Sequence, residues 1–242
     1  MRYGLISDIH GNLEALNAVL EELGRERIDR YLCIGDIVGY GANPKECIEA
    51  VKTIGPEIVI AGNHEWGVLD LLDPEYFNEY ASAAVTWTKK ILEKEELDYL
   101  MSFKLSGSIG DITLVHGSLD EPSRFKYIFD TNDAYAAMKL CKTRLCFVGH
   151  THAPGIFYAD EKRVARSPGL SVTLDSSKKY LINIGSIGQP RDGDPRASFA
   201  IYDTKTGGVE IRRVAYNIEQ AQEKILRAGL PAELASRLAQ GR

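Results

Sequence analysis

Tyr3-Gly4-Leu5-Ile6-Ser7-Asp8-Ile9-His10-Gly11-Asn12 is the stretch on which the reading of the chain turns. An apolar run ends in Asp-x-His and Gly-Asn, and from Leu13 the apolar residues take helical spacing. Alternation along a strand puts Asp8 and His10 on one side of an extended backbone. A carboxylate and an imidazole held at a strand's C-terminal end can grip one metal ion. By itself the stretch also reads as a strand-to-helix turn in which Asp8 caps the next helix. The rest of the chain has to choose.

Working outward, Tyr3–Ser7 reads as a buried strand and Leu13–Leu23 as a helix ended by Gly24, with Leu13, Leu16, Val19, Leu20 and Leu23 on one stripe. Tyr31–Ile34 is a second strand, closed by Gly35-Asp36. A helix starts at Pro44 behind Asn43 and stops at Gly55-Pro56. Ile58–Ala61 is a third strand, running into Gly62-Asn63-His64-Glu65. Strand–helix–strand–helix–strand is the pattern of a parallel sheet. Pro74–Phe103 is mostly helical, its aromatic residues assigned to core. Ile112–Val115 leads to His116-Gly117, and Leu145–Val148 to Gly149-His150-Thr151-His152. After Gly155 come five short strands between turn signals, expected to be antiparallel and to pack on the first sheet; Thr206-Gly207-Gly208 marks a hairpin. Residues 1–242 are read as one domain. Its C-terminal helices, about 217–240, can pack within the chain or at a homodimer interface, and both stay open.

Bulk composition narrows the field. With 44% hydrophobic and 26% charged residues, the chain is an ordinary globular protein. A net charge of −5 gives no footprint of a general nucleic-acid or membrane-surface binder. No apolar run reaches membrane-spanning length, and a signal-peptide pattern is not seen, so the expected location is cytoplasmic. Cys33, Cys47, Cys141 and Cys146 lack CxxC spacing and are read as structural thiols.

The histidines carry the information. All five, His10, His64, His116, His150 and His152, stand at the C-terminal end of an expected strand beside Gly, Asp or Asn. In open α/β sheets that is where ligands bind, so the five loops should meet in one crevice. Asp8, Asp36 and Asn63 add hard oxygen donors. A mixed oxygen and nitrogen set without thiolate suits Mn, Fe, Zn, Ni or Co, with Mn first, rather than Ca or a structural zinc. Seven or eight ligands are too many for one ion and right for two that share a carboxylate. Two ions roughly 3.5–4 Å apart are a recurrent device for phosphoryl-ester hydrolysis.

In order and residue type, Asp8-Ile9-His10, Gly35-Asp36, Gly62-Asn63-His64-Glu65, His116-Gly117 and Gly149-His150-Thr151-His152 resemble the five motifs of the calcineurin-like metallophosphoesterase superfamily. The resemblance implies an α/β fold, a four-layer αββα sandwich of two mixed β-sheets flanked by helices. It implies a metal-dependent phosphoesterase in which a hydroxide bridging a dinuclear centre attacks phosphorus. By motif position, Asp8, His10, Asp36 and His152 would hold one ion. Asp36, Asn63, His116 and His150 would hold the other, with Asp36 bridging. His64 would be the catalytic histidine that protonates the leaving group or steadies the phosphoryl oxygens.

One departure bears on substrate. Where related protein phosphatases and diadenosine-tetraphosphate hydrolases read GDxVDRG, this chain has Gly35-Asp36-Ile37-Val38-Gly39-Tyr40-Gly41. Gly39 stands for the Asp that orients the histidine, and Tyr40 for the Arg that forks a dianionic monoester. The expectation is a small phosphorylated substrate, a phosphodiester, with a nucleotide among the candidates. The alternatives are a nucleotide pyrophosphohydrolase, a Ser/Thr protein phosphatase and, remotely, a non-catalytic scaffold. Candidate substrate contacts are Arg191, on a loop (residues 185–193) whose amides could cradle phosphate, Tyr40, and Arg124 with Lys126 on a loop over 118–135.

Overall fold

Side chains of β1 (Arg2–Ile6) alternate between two cores, and this sets the layering. Leu5 faces one core and Ile6 the other. The computed structural model describes residues 1–160 and 163–242. β1 pairs in parallel with β2 (Arg30–Cys33), which pairs in parallel with β3 (Ile58–Val59). The helices between them are α1 (Leu13–Arg25) and α2 (Pro44–Ile54). Their apolar stripes, Leu16, Val19 and Leu23 with Ile48 and Val51, cover the Ile6 face. A short α3 (Asn63–Val68) follows β3, then α4 (Glu79–Ile91) and α5 (Lys94–Met101).

The second sheet opens with β4 (Ser106–Ile109) and β5 (Ile112–Val115). From β5 the chain crosses through α6 (Thr131–Leu140) to β6 (Leu145–Val148). A hairpin of β7 (Gly155–Ala159) and β8 (Val164–Arg166) comes next, then β9 (Ser171–Thr173) and β10 (Lys179–Asn183). β11 (Ala197–Asp203) and β12 (Gly208–Val214) return to the first sheet. Among the described residues the sheet orders are β3-β2-β1-β11-β12-β9 and β4-β5-β6-β10-β7-β8. Leu5, Leu32 and Ile34 of the first sheet meet Leu114, Phe147 and Ile182 of the second in a shared core. α6 packs on the outer face of the second sheet through Ala134, Ala137 and Met138. The result is the expected four-layer αββα sandwich of two mixed sheets.

The expectations for the later strands, for the 118–135 loop and for Gly24 need correction. The later strands are not uniformly antiparallel: β10 pairs in parallel with β6, and β6 with β5. The β5-to-β6 pairing needs a crossover, supplied by α6, which occupies part of the stretch read as a loop, and β6 reaches β10 through β7, β8 and β9. Gly24 does not end α1, which runs on to Arg25 and is capped at Glu26. The C-terminal helices, α7 (Ile218–Arg227) and α8 (Ala232–Ser236), pack within the chain. Ala221, Ile225, Leu234 and Leu238 close over Tyr40, Ala81 and Ala84. All four cysteines are free and buried. No described helix is long and apolar enough to cross a membrane.

Candidate metal centre

Parallel strands from both sheets, β1, β2, β3, β5, β6 and β10, end on one side of the sandwich, and the loops beyond them converge there. The first loop departs from the expectation of strand alternation. β1 stops at Ile6, and Asp8 and His10 both lie past it in the left-handed region, at φ 51°. Asp36, His150 and His152 share that conformation. Non-glycine residues rarely hold it unless the surroundings impose it, and here the backbones of neighbouring loops do so. Asp8, His10 and Gly11 donate in turn to the carbonyls of Gly35, Asp36 and Ile37, each at 2.9 Å. Gly11, at φ 60°, lies so close to Gly41 that a Cβ would come within 2.9 Å of its carbonyl oxygen. Asn12, one residue later, takes the capping role by accepting from Ala15 N–H at 3.1 Å.

Side-chain donors aim at the centre because their far ends are tied. His10, His116 and His152 each place Nδ1 against a backbone carbonyl: Val38 at 3.1 Å, Ile34 at 2.7 Å and Gln189 at 2.6 Å. Donating Nδ1–H outward fixes the tautomer that turns the Nε2 lone pair inward, as metal-binding histidines require. Nε2 of His10 then faces Nε2 of His152 at 3.0 Å, and Nε2 of His152 lies 3.2 Å from Asp8. Nε2 of His116 lies 3.1 Å from Asp36 Oδ2. The Oδ1 of Asn63 is buried without a hydrogen-bond partner among the described residues, a costly state for an amide oxygen and the state of one reserved for a cation. Asp8, His10, Asp36 and His152 form one group whose ligand atoms lie within 4.8 Å of one another; Asp36, His116 and His150 form a second. The donor chemistry fits divalent ions of the Mn-to-Zn series, and Asp36 belongs to both groups.

Electrostatics agree with that fit. Burial opposes ionisation of Asp8 and Asp36, yet the histidines around them hold both carboxyls well below the usual range. Burial also opposes charge on His116, but Asp36 and Asp8 outweigh it and lift the ring to about 10. His10 and His150 are pushed well down by burial, and His64 to about 4. His10, His150 and His152 are thus neutral beside two ionised carboxylates, the state in which such groups bind metal, whereas His116 holds a proton that a metal ion would displace.

A buttress that motif reading passes over lies beneath. The Glu65 carboxylate accepts from the N–H groups of Asp36 (2.8 Å), Ile37 (2.7 Å), Val38 (3.3 Å) and Gly62 (2.8 Å). It thereby locks the Asp36 loop to the start of α3, while Asp36 Oδ1 accepts from His64 N–H at 2.9 Å. Its signal in the sequence is an acid three residues after the helix cap, where a side chain can reach back to free N–H groups.

The other sequence candidates separate. His64 lies among the rings of Tyr40 (4.4 Å), His10 (4.7 Å) and Phe77 (5.3 Å), its Nδ1 buried and without a partner among the described residues. Gly39 is the reason a carboxylate cannot sit there on this backbone. At φ 91°, a Cβ on it would lie 2.2 Å from that Nδ1. Gly39→Ala should therefore cost about 1–3 kcal/mol in backbone strain and displace His64. A lowered denaturation midpoint together with a lowered kcat would register it. Tyr40 is buried, at 8% exposure. Arg191 reaches it from the loop after β10, giving one hydrogen bond to its hydroxyl (3.2 Å) with the guanidinium 5.6 Å from the ring centre. The amide cradle expected of that loop is not free. Ile187, Gly188 and Arg191 spend their N–H groups on Ser7, Asp8 and His152 carbonyls. Arg124 and Lys126 are surface groups paired with Glu121, and Lys126 also with Asp120. The structure does not bring either into the centre.

The chain matches, over residues 1–207, the family model described as the calcineurin-like phosphoesterase superfamily domain. It is 42% identical to an uncharacterized protein of Methanocaldococcus jannaschii over 98% of this chain and 97% of that one. The crystal structure of a metallophosphoesterase from Sphaerobacter thermophilus is 41% identical, with full coverage of both chains and a TM-score of 0.88. A hypothetical protein of Pyrococcus horikoshii is 25% identical, covers 100% of this chain and 98% of its own, and has a TM-score of 0.81.

Proposed function

This chain belongs to the calcineurin-like phosphoesterase superfamily, and from that premise we propose that it hydrolyses phosphodiesters at a dinuclear centre, manganese being the first candidate metal. Asp8, His10, Asp36 and His152 would hold one ion, and Asp36, Asn63, His116 and His150 the other. Divalent ions in those positions would supply a nucleophile at neutral pH and neutralise charge on the phosphoryl oxygens. His64, buried beside them and held by Asp36 through its backbone, gives a proton or hydrogen bond to the departing oxygen. Tyr40 and Phe77 wall its ring from water and limit its rotation.

The observation that favours a diester is the state of Arg191. Its Nε and Nη2 both bond Gln189 Oε1, at 3.2 and 2.8 Å, and Nη2 also bonds Tyr40. The edge that would fork a dianionic phosphate is thus taken by the protein itself, leaving Nη1. One free corner suits the single charge of a diester better than the two of a monoester. A scaffold that had given up catalysis would have no use for the unpartnered Asn63 Oδ1 among tied ligands. Manganese-loaded protein should be assayed on an aryl phosphodiester, its monoester, a dinucleoside polyphosphate and a phosphopeptide. The diester should lead in kcat/KM by tenfold or more, on the order of one lost charge-assisted contact. A lead for the polyphosphate or the phosphopeptide would transfer the assignment to a pyrophosphohydrolase or a protein phosphatase.

A further inference from the structure

Between β5 and α6 the chain carries a column of rings that starts on a metal-ligand histidine and ends in solvent. Tyr127 stacks on His150 with ring centres 4.0 Å apart and planes 19° from parallel. Phe129 stacks on Tyr127 at 5.1 Å and 11°. Tyr76, from the turn before α4, flanks the column with its hydroxyl 3.5 Å from His150 Nε2. Tyr127 is 43% exposed and Phe129 65% exposed.

That exposure does not come from a loose segment. Phe125 and Ile128 are buried at 1% and 5% and anchor the stretch from below. Asp130 caps α6 by accepting from Asn132 and Asp133 N–H, and the Asp133 carboxylate reaches back to Phe129 N–H at 2.9 Å. The neighbouring cations, Arg124 and Lys126, are engaged by Glu121 and Asp120 and so do not lie over the rings. A fixed backbone thus holds a flat apolar face toward water, at the rim of a site built for an anion. An exposed aromatic face next to a polar centre is a platform for a ring carried by the ligand.

We infer that the Tyr127–Phe129 column is a base subsite, taking the nucleobase of a phosphorylated substrate whose phosphate lies in the metal centre. The inference rests on the phosphoesterase reading and adds the class of substrate. Stacking needs only a π-face, so the subsite accepts purines and pyrimidines alike, and purines more strongly because they cover more ring. The signal in the sequence was the run of aromatic residues Phe125, Tyr127 and Phe129 in the stretch after His116.

The test compares AMP with ribose 5-phosphate, which differ only in the base. Binding of each to the manganese-loaded full chain is measured by calorimetry, and each is assayed as a competitor of aryl phosphodiester hydrolysis. AMP should bind five- to a hundredfold more tightly, the range of one base stacked on an aromatic side chain. Phe129→Ala should bring the two affinities together through loss on the AMP side alone, and Phe129→Trp should keep them apart. Equal affinities in the unaltered protein, no binding of either compound, or a difference untouched by Phe129→Ala would overturn the subsite. So would a change of oligomeric state in Phe129→Ala with the affinity ratio intact, which would make the rings a contact between copies of the chain. Retained AMP preference in a protein that hydrolyses no phosphoester would support the subsite and refute the reaction.

Discussion

Asp36→Asn is expected to strip the protein of both metal ions and to lower turnover by at least a thousandfold, on the order of several kcal/mol of lost transition-state stabilisation. Asp36 is the one residue shared by the two ligand groups. Its Oδ2 faces His116 Nε2 at 3.1 Å and His10 Nε2 at 3.6 Å, between the two clusters. The carboxamide keeps the shape of the side chain but removes the charge, and on one side it presents N–H where a cation needs a lone pair. The Asp36 backbone N–H still reaches Glu65, so the loop keeps its anchor and the variant should fold. Circular dichroism and elemental analysis of the same preparation separate metal loss from unfolding. One ion retained at full occupancy would remove Asp36 from the bridging position.

The second large effect belongs to His64. His64→Ala should reduce kcat by about 10²–10⁴-fold, the usual contribution of a positioned proton donor, while metal content stays unchanged. His64 is absent from both ligand groups, and its Nδ1 makes no hydrogen bond among the described residues. The ring is held by packing between Tyr40 and Phe77 in place of a carboxylate partner. A parallel loss of one metal ion would make it a ligand. Loss confined to KM would instead assign it to binding.

How much of this was legible in the sequence depends on what kind of force fixes each feature. The convergence of Asp8, His10, Asp36, His116, His150 and His152 was legible because metal chemistry restricts residue type, and because strand ends in an α/β fold share one crevice. Helix α2 was legible to its last residue: Pro44 behind Asn43 starts it, and Gly55 in the left-handed region stops it. The left-handed backbone of Asp8 and His10 was not legible, since it is imposed by carbonyls of the Gly35–Ile37 loop, distant in sequence. α6 was hidden because its buried face is small, Ala134, Ala137 and Met138, and lacks the Leu stripe that made α1 plain. The parallel pairing of β6 with β10 was hidden for another reason: the connection between them runs through the β7–β8 hairpin and β9 and carries no helix to signal a crossover. Tyr40 and Arg191 were each singled out, but their contact joins residues 151 positions apart and belongs to the tertiary fold.

Metal stoichiometry followed together with activity tests the central claim most directly. Chelated protein is titrated with Mn(II) in a calorimeter, and aryl phosphodiester hydrolysis is assayed at each point. Two equivalents should bind per chain, with hydrolysis appearing only as the second site fills. Full activity at one equivalent, or activity that survives complete chelation, would contradict a dinuclear phosphoesterase.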